Sequence, residues 1–442
     1  MKVCWLFAGA LALPSAIFAA PPLDVPAAKA KIDASLARTY PDLEGLYKDL
    51  HGHPELAFAE TRTAALLAAR MRKLGFTVTE KVGKTGVVAL YKNGDGPTVL
   101  VRVEMDGLPV EEKTGLPWAS KAQQPGSDGK MTPVDQACGH DIHMAWWIGT
   151  AEALLAMKDQ WHGTLMFIAQ PAEEIGGGAK AMLADGLFTR FPKPDYGFAA
   201  HVFPSEAGTV LVKQGAMTSA SDTVKITFKG LGAHGSMPDK SIDPIVEAAQ
   251  FVTDVQTVIS RRKDPQKFGV VTVGSFHAGT VANIIPDHAD LQLTVRSYEP
   301  AVRTLLIDGI TGTANAVAAM AGAPAPDISR TSGGETVVND NALAASTAEV
   351  LRAALGARVS FVPESGPGWT ASEDYSAFVS AGMPKSVYFS IGGVDAATIA
   401  KWKAEGKPMP VNHSPFFAPV AEPSIKAGVT TLTLAVLSVA GK

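Results

Sequence analysis

GTLMFIAQPAEEIGGGAKAML, residues 163–183, decides how this chain is read. Its first part is an unbroken apolar run of strand length, the pattern of a strand buried on both faces. The run ends in two adjacent carboxylates, Glu173 and Glu174. Gly176, Gly177 and Gly178 follow and open a helix; they let backbone approach closely, and either feature would stabilise negative charge. A strand that ends in acidic residues and enters a helix belongs to an α/β sheet, whose ligands gather beyond the carboxyl ends of the strands.

The surrounding sequence repeats that unit. FTVTEK (76–81), VVALYK (87–92), PTVLVRVEMD (97–106) and YGFAAHVF (196–203) read as strands, and DIHMAWWIGTAEALLAMK (141–158) reads as a helix. From Asp42 to Gly75 apolar residues recur at helical spacing, and ETRTAALLAARMRKLG closes on a glycine as a capped helix does. Strands alternating with helices imply a largely parallel sheet covered on both faces. The pattern changes after Ser221: VKITFKG alternates with period 2, residues 242–262 form an amphipathic helix, residues 268–279 and 289–298 are strands, and a helix runs from Pro300 to Met320. That β-α-β-β-α order suits a small ferredoxin-like sheet with helices on one face. The proline-rich stretch 322–340 reads as the return linker. The expected fold is therefore α/β: a larger domain with a largely parallel sheet (21–220 and 332–442), interrupted by a smaller α+β domain (221–331), behind a leader at 1–20.

Composition narrows the function. With 46% apolar and 19% charged residues among 442, the chain is globular and large enough for two domains. A net charge of -4 without a dense Lys/Arg tract argues against a nucleic-acid partner. MKVCWLFAGALALPSAIFAA (1–20) has a charge, a short apolar run and small residues at its end; it reads as a signal peptide cut near Ala20, giving a periplasmic or secreted protein with no membrane span after processing. Cys4 leaves with that segment, so Cys138 cannot form an intramolecular disulfide and is either a metal ligand or an inert buried thiol.

Metal-capable groups converge on the strand ends. PTVLVRV runs into Glu104 and Asp106, LMFIAQP into Glu173 and Glu174, YGFAA into His201, and Cys138 and His140 precede a helix in ACGHDIH. Thiolate, imidazole and carboxylate together suit zinc, or a borderline ion such as manganese or cobalt. In the Glu173-Glu174 pair one carboxylate can bind metal while the other takes a proton from an activated water.

At ACGHDIH, QPAEEIGGGAKAML, AAHV and NHSP, and in the smaller domain at GLGAHGSMPDKSIDP and ANIIPD, the chain resembles the co-catalytic metallopeptidase family of aminoacylases and glutamate-releasing carboxypeptidases. Within it, the hippurate and auxin-conjugate amidohydrolases are most alike. The resemblance implies a hydrolase-like catalytic domain with an inserted lid (221–331). It implies a metal-dependent amidohydrolase acting on N-acyl amino acids or small peptides, with one or two ions per chain (Zn, Mn or Co) and a homodimer formed through the lid. It further implies Cys138, His140, Glu174, His201 and His413 as metal ligands, Glu173 as general base, and Asp106 orienting a ligand. In the lid it implies His234 at the substrate carbonyl, often reaching it from the partner subunit, and Asn283 near the substrate. Glu104 stands where this branch usually has aspartate and the wider family has its first histidine ligand, which leaves the number of ions open. Arg296 and Arg330 are the cations in or beside the lid that could meet a substrate carboxylate. His51 and His53 read as structural or rim residues, and His143 as a residue packed on its helix. Two other readings compete: a cysteine-nucleophile hydrolase using Cys138 with His140, and a binding protein of the same fold that has lost turnover.

Overall fold

Burying these apolar runs takes two sheets, each with its own core. A computed structural model describes residues 23–383 and 385–442; the signal peptide expected at residues 1–20 lies outside them. The larger sheet has eight strands, in spatial order Thr77–Val82, Gly86–Asn93, Gly163–Gln170, Thr98–Glu104, Tyr196–Glu206, Ser386–Val394, Val210–Lys213 and Val359–Val362. The four strands from Gly163–Gln170 to Ser386–Val394 are mutually parallel, and antiparallel pairings flank them on both sides. The central strand Thr98–Glu104 is buried along its whole length, as its apolar run requires.

Strand alternation assigns the two faces. Val99, Val101 and Val103 join the core beneath helices Val25–Gly52, His140–Ala156 and Ala421–Ala440. Leu100 points the other way, towards Ala179 and Met182 of helix Gly178–Ala184 and Phe378 of helix Ser376–Ser380. Ala421–Ala440 is long and apolar enough to cross a membrane by length and composition, but 78% of its apolar window is buried inside the fold. It packs against His140–Ala156 and Val25–Gly52 as a core helix.

The smaller sheet is antiparallel, in order Gly269–Ala278, His288–Ser297, Ala220–Lys229, Asp327–Gly334. Helices Pro244–Asp254 and Pro300–Met320 close one face over Val224, Ile226, Phe228, Leu291, Leu293 and Val295. The fourth strand is a departure from expectation, since Asp327–Gly334 lies in the stretch read as a linker. It is mostly exposed and carries no apolar alternation; its pairing with Ala220–Lys229 defines it. The helix expected over 242–262 likewise ends at Asp254, with a separate wide turn at Val258–Arg262.

One buried clamp ties the Pro300–Met320 helix to this sheet. Arg303 donates from Nε to Asp222 Oδ2 at 2.7 Å and from Nη2 to Asp222 Oδ1 at 2.9 Å, and Arg330 Nε donates to Oδ1 at 2.7 Å. Burial opposes the charge on Asp222, but the bonds from Arg303 and Arg330 prevail and hold its carboxyl below the usual range. The folded chain thus binds this proton more weakly than the unfolded one, whose aspartates titrate near about 3.9. The stabilisation is complete above that value and is lost as pH falls through the folded pKa. Asp222→Asn should cost about 3 kcal/mol by urea unfolding at pH 7, because Arg330 loses its counter-charge and Arg303 keeps only the exposed Glu335. That gap should narrow below about pH 4; a gap independent of pH would trace the effect to shape rather than charge.

Candidate metal centre

Asp106 organises the edge where the parallel strands end. Its Oδ1 accepts the Glu173 N–H and its Oδ2 the Glu174 N–H, each at 3.0 Å. Its main-chain oxygen lies 2.7 Å from His140 Nδ1. A carbonyl oxygen only accepts, so Nδ1 carries a proton and Nε2 is the nitrogen turned to the glutamate pair. Nε2 stands 3.8 Å from Glu174 Oε1 and 4.0 Å from Glu173 Oε2. The turn before helix His140–Ala156 needs glycine at Gly139, which has φ 85° and where a Cβ would come within 2.5 Å of Val202.

The other donors close the ring. Cys138 Sγ lies 3.4 Å from His201 Nε2, and His201 Nδ1 is 2.7 Å from the Val202 carbonyl oxygen, so this imidazole turns its lone pair inward. His413 Nε2 lies 3.3 Å from Glu174 Oε2. His413 is held at φ 70° with its N–H bonded to the Ala137 oxygen at 2.8 Å. Three overlapping sets, Cys138-His140-His201, Cys138-Glu174-His413 and His140-Glu173-Glu174, each have ligand atoms within 4.8 Å of one another.

The electrostatics suit a cation. Burial and the Glu173 and Glu174 carboxylates push the Cys138 thiol up, the opposite of what a nucleophilic cysteine requires. Burial raises both Glu173 and Glu174 as well, helped at Glu173 by Glu373. Burial works against charge on His140, yet Asp106, Glu104 and Glu174 raise it to about 10. His201, buried beside His143, falls to about 3 and offers a free lone pair at neutral pH. His140 Nε2 and Glu174 Oε1 are buried without hydrogen-bond partners. Two unpartnered buried donors among thiolate, imidazole and carboxylate fit a divalent first-row ion.

A cavity of about 400 Å³ opens over these residues, lined by Cys138, Glu173, Glu174, His201 and His413 and walled by Phe203, Arg296 and Trp369. The segments expected at the site therefore meet, with two exceptions. His234 and Asn283 line a different groove, of about 820 Å³, on the smaller sheet's unit. Arg296 faces the catalytic cavity, whereas Arg330 is turned to Asp222. His201 is not at a strand end: its strand continues to Glu206, and it pairs with Ser390.

Sequence reasoning missed a layer beneath the cavity. Glu104 meets Arg102 and has Oε2 3.0 Å from His143 Nδ1, and with His143 and His201 it forms a further set of ligand atoms within 4.8 Å of one another. His143 Nε2 accepts the Val202 N–H at 2.8 Å, so it braces the neighbour of His201 rather than only packing on its helix. Its spacing of three from His140 placed both on one helix face, which was the available signal. Arg102 also donates to Glu373 at 2.6 Å and Asp374 at 3.2 Å. Those two acids come from a loop that carries no strand-end pattern.

A parallel sheet with a Cys/His/Glu donor cluster at its carboxyl edge, interrupted by a smaller α+β unit, defines a two-unit α/β metallohydrolase. Residues 100–433 match the model of Peptidase family M20/M25/M40, and the chain belongs to that family. It is 40% identical over 274 residues to a hippurate hydrolase of Campylobacter jejuni, covering 60% of this chain and 67% of that one. It is 37% identical over 292 residues to an N-acetylcysteine deacetylase of Bacillus subtilis, covering 64% and 72%. The solved YXEP protein of Bacillus subtilis, described as a dinuclear metal-binding peptidase of this family, superposes with a TM-score of 0.72 at 28% identity, covering 92% of this chain and 99% of that one. The protein is accordingly a hydrolase of the M20 family.

Asp106 reaches a candidate ligand through a hydrogen bond and no contact of its own. Asp106→Ala frees the Glu173 and Glu174 backbone N–H groups while its main-chain oxygen still meets His140, so metal affinity measured against a competing chelator should fall about 10- to 100-fold through Glu174. Unchanged affinity would mean that Glu174 is positioned by other groups.

Proposed function

We propose that the chain hydrolyses the amide bond of N-acyl amino acids or small peptides, with Glu173 as general base and with Cys138, His140, Glu174, His201 and His413 holding one or two ions of zinc, manganese or cobalt. The observation that carries this reading is the divided glutamate pair. Asp106 fixes both N–H groups, which leaves Glu174 against His413 and His140 and Glu173 beside them at the cavity floor. When bound, a divalent ion supplies Lewis acidity to a water and to the scissile carbonyl. Glu173 takes the proton from that water. Burial and the Glu373 and Glu174 carboxylates raise its affinity for the proton, and it then delivers the proton to the departing amine. The names of the hippurate and N-acetylcysteine relatives support an N-acyl amino acid as substrate. Arg296, on the cavity wall, is the cation suited to its α-carboxylate.

The same reading places residues 221–331 as a lid through which two copies associate. Leu231, Met237, Val281 and Ile284 are exposed around His234, and Gly269–Ala278 is an edge strand. An apolar surface of this kind, beside an unpaired edge, suits a second copy. It would bring His234 of one copy to the carbonyl oxygen in the cavity of the other, with Asn283 beside it.

Glu173→Gln should keep the wild-type metal content and lose turnover by a factor on the order of hundreds. His234→Ala should also be inactive. Mixing the two inactive proteins should restore roughly a quarter of wild-type activity, since half the dimers are mixed and each carries one intact site. Full activity in Glu173→Gln would remove it as the base; absence of rescue would place His234 outside the partner's site.

Arg296→Met should raise KM for N-benzoyl and N-acetyl amino acids on the order of a hundredfold, the loss expected from one charge-assisted pair, while hardly changing KM for the corresponding amino-acid amides. Equal loss on both substrate sets would reject a carboxylate clamp.

A further inference from the structure

Behind the first turn of helix His140–Ala156 lies a second set of metal-capable side chains, which the proposed reaction does not use. His51 ends helix Val25–Gly52, Glu112 comes from the loop after the central strand, and Asp135 begins the loop that carries Cys138. All three side chains are buried, and their ligand atoms lie within 4.8 Å of one another.

From this geometry we infer a separate divalent-cation site formed by His51, Glu112 and Asp135, structural in role, with a first-row ion such as Mn2+ or Zn2+ as its ligand.

Asp135 carries the inference. It is fully buried, and neither carboxylate oxygen has a hydrogen-bond partner. A native fold rarely leaves both oxygens of a buried carboxylate unmatched, because the desolvation cost is not recovered. The position is rigid: Asp135 exchanges main-chain hydrogen bonds with Leu108 at 2.9 and 3.0 Å. The neighbouring Gln136 side chain is also buried without a partner and could contribute its oxygen.

His51 is already arranged as a ligand. Its Nδ1 lies 2.7 Å from Asp141 Oδ2, while Nε2 faces Glu112 Oε1 at 3.1 Å. A carboxylate that holds the Nδ1 proton and turns Nε2 towards other donors is the usual support of a metal-bound histidine. An imidazolium ion alone does not balance the cluster. It can pair with Asp141 and Glu112 but makes no salt bridge to Asp135. Three carboxylates then face one positive charge, and among the described residues no lysine or arginine is paired with any of them. A divalent ion that displaces the Nε2 proton supplies the missing charge, which suits N and O donors of this kind. It would also cross-link the end of Val25–Gly52 to the segment that leads into Cys138 and His140.

Cobalt separates this site from the proposed catalytic centre, because only the latter contains a thiolate. Chelator-stripped full-length protein is dialysed against Co2+, and bound equivalents are counted by elemental analysis alongside the thiolate-to-cobalt absorption band. Asp135→Asn should bind one equivalent fewer than wild type and keep the band; Cys138→Ser should lose the band and keep that equivalent. Metal-free Asp135→Asn should melt no lower than metal-free wild type, since it removes a buried carboxyl whose oxygens have no hydrogen-bond partner. His51→Gln should lose the same equivalent and decides the matter should Asp135→Asn not fold. Wild-type stoichiometry in folded Asp135→Asn, or in His51→Gln, overturns the site. A wild-type protein lacking the thiolate band would instead overturn the Cys138 ligation, whichever way the Asp135 comparison falls.

Discussion

The edge that gathers the metal-capable donors depends on what a single buried aspartate accepts. Asp106 takes the N–H groups of two successive residues on its two oxygens and a histidine N–H on its main-chain oxygen. Three chain segments that share no local sequence are thereby fixed to one point: the end of the central strand, the turn after its parallel neighbour, and the start of a buried helix. Two successive N–H groups bonded to one carboxylate also fix the directions of the side chains that follow. Adjacent glutamates become chemically different because their backbone is pinned, not because their residue types differ.

Beneath that edge the charge is managed by a second arrangement. Alternation along Thr98–Glu104 turns Arg102 and Glu104 to the face opposite Val101 and Val103, where water is absent. A guanidinium in such a place persists only if its donors are all used, and Arg102 spends them on Glu104, Glu373, Asp374 and Gln170. Glu104 in turn fixes His143, whose other nitrogen accepts the N–H of the residue after His201. The Glu104 side chain therefore serves this supporting layer through Arg102 and His143, and it shares His201 with the Cys138 donor set.

What the sequence made legible follows from how local each signal is. The parallel centre could be read because Gly163–Gln170 carries an unbroken apolar run and Thr98–Glu104 one broken only at Arg102. The convergence of Cys138, His140, Glu173 and Glu174 could be read because strand ends in such a sheet share an edge. Other features depend on partners far away in sequence. Asp327–Gly334 is a strand only because Ala220–Lys229 offers it hydrogen bonds. Glu373 and Asp374 matter through Arg102, some 270 residues earlier by number. His201 looked like a strand end because the apolar run stops there, although backbone pairing with Ser386–Val394 carries the strand on to Glu206.

The three glycines after Glu174 show how a sound sequence argument can locate a feature and mistake what it serves. They suggested an opening for negative charge, but the close approach is to the chain itself. A Cβ on Gly178 would lie 1.5 Å from the Pro171 oxygen, and one on Gly176, at φ 60°, would lie 2.4 Å from the Gly333 oxygen. Gly333 belongs to Asp327–Gly334, the strand that returns the chain from the smaller sheet, and it packs against Ser221 at that sheet's outgoing strand. The turn that carries both glutamates therefore rests on the junction where the chain enters and leaves the smaller unit. This contact is made by backbone alone, which is why side-chain patterns gave no sign of it.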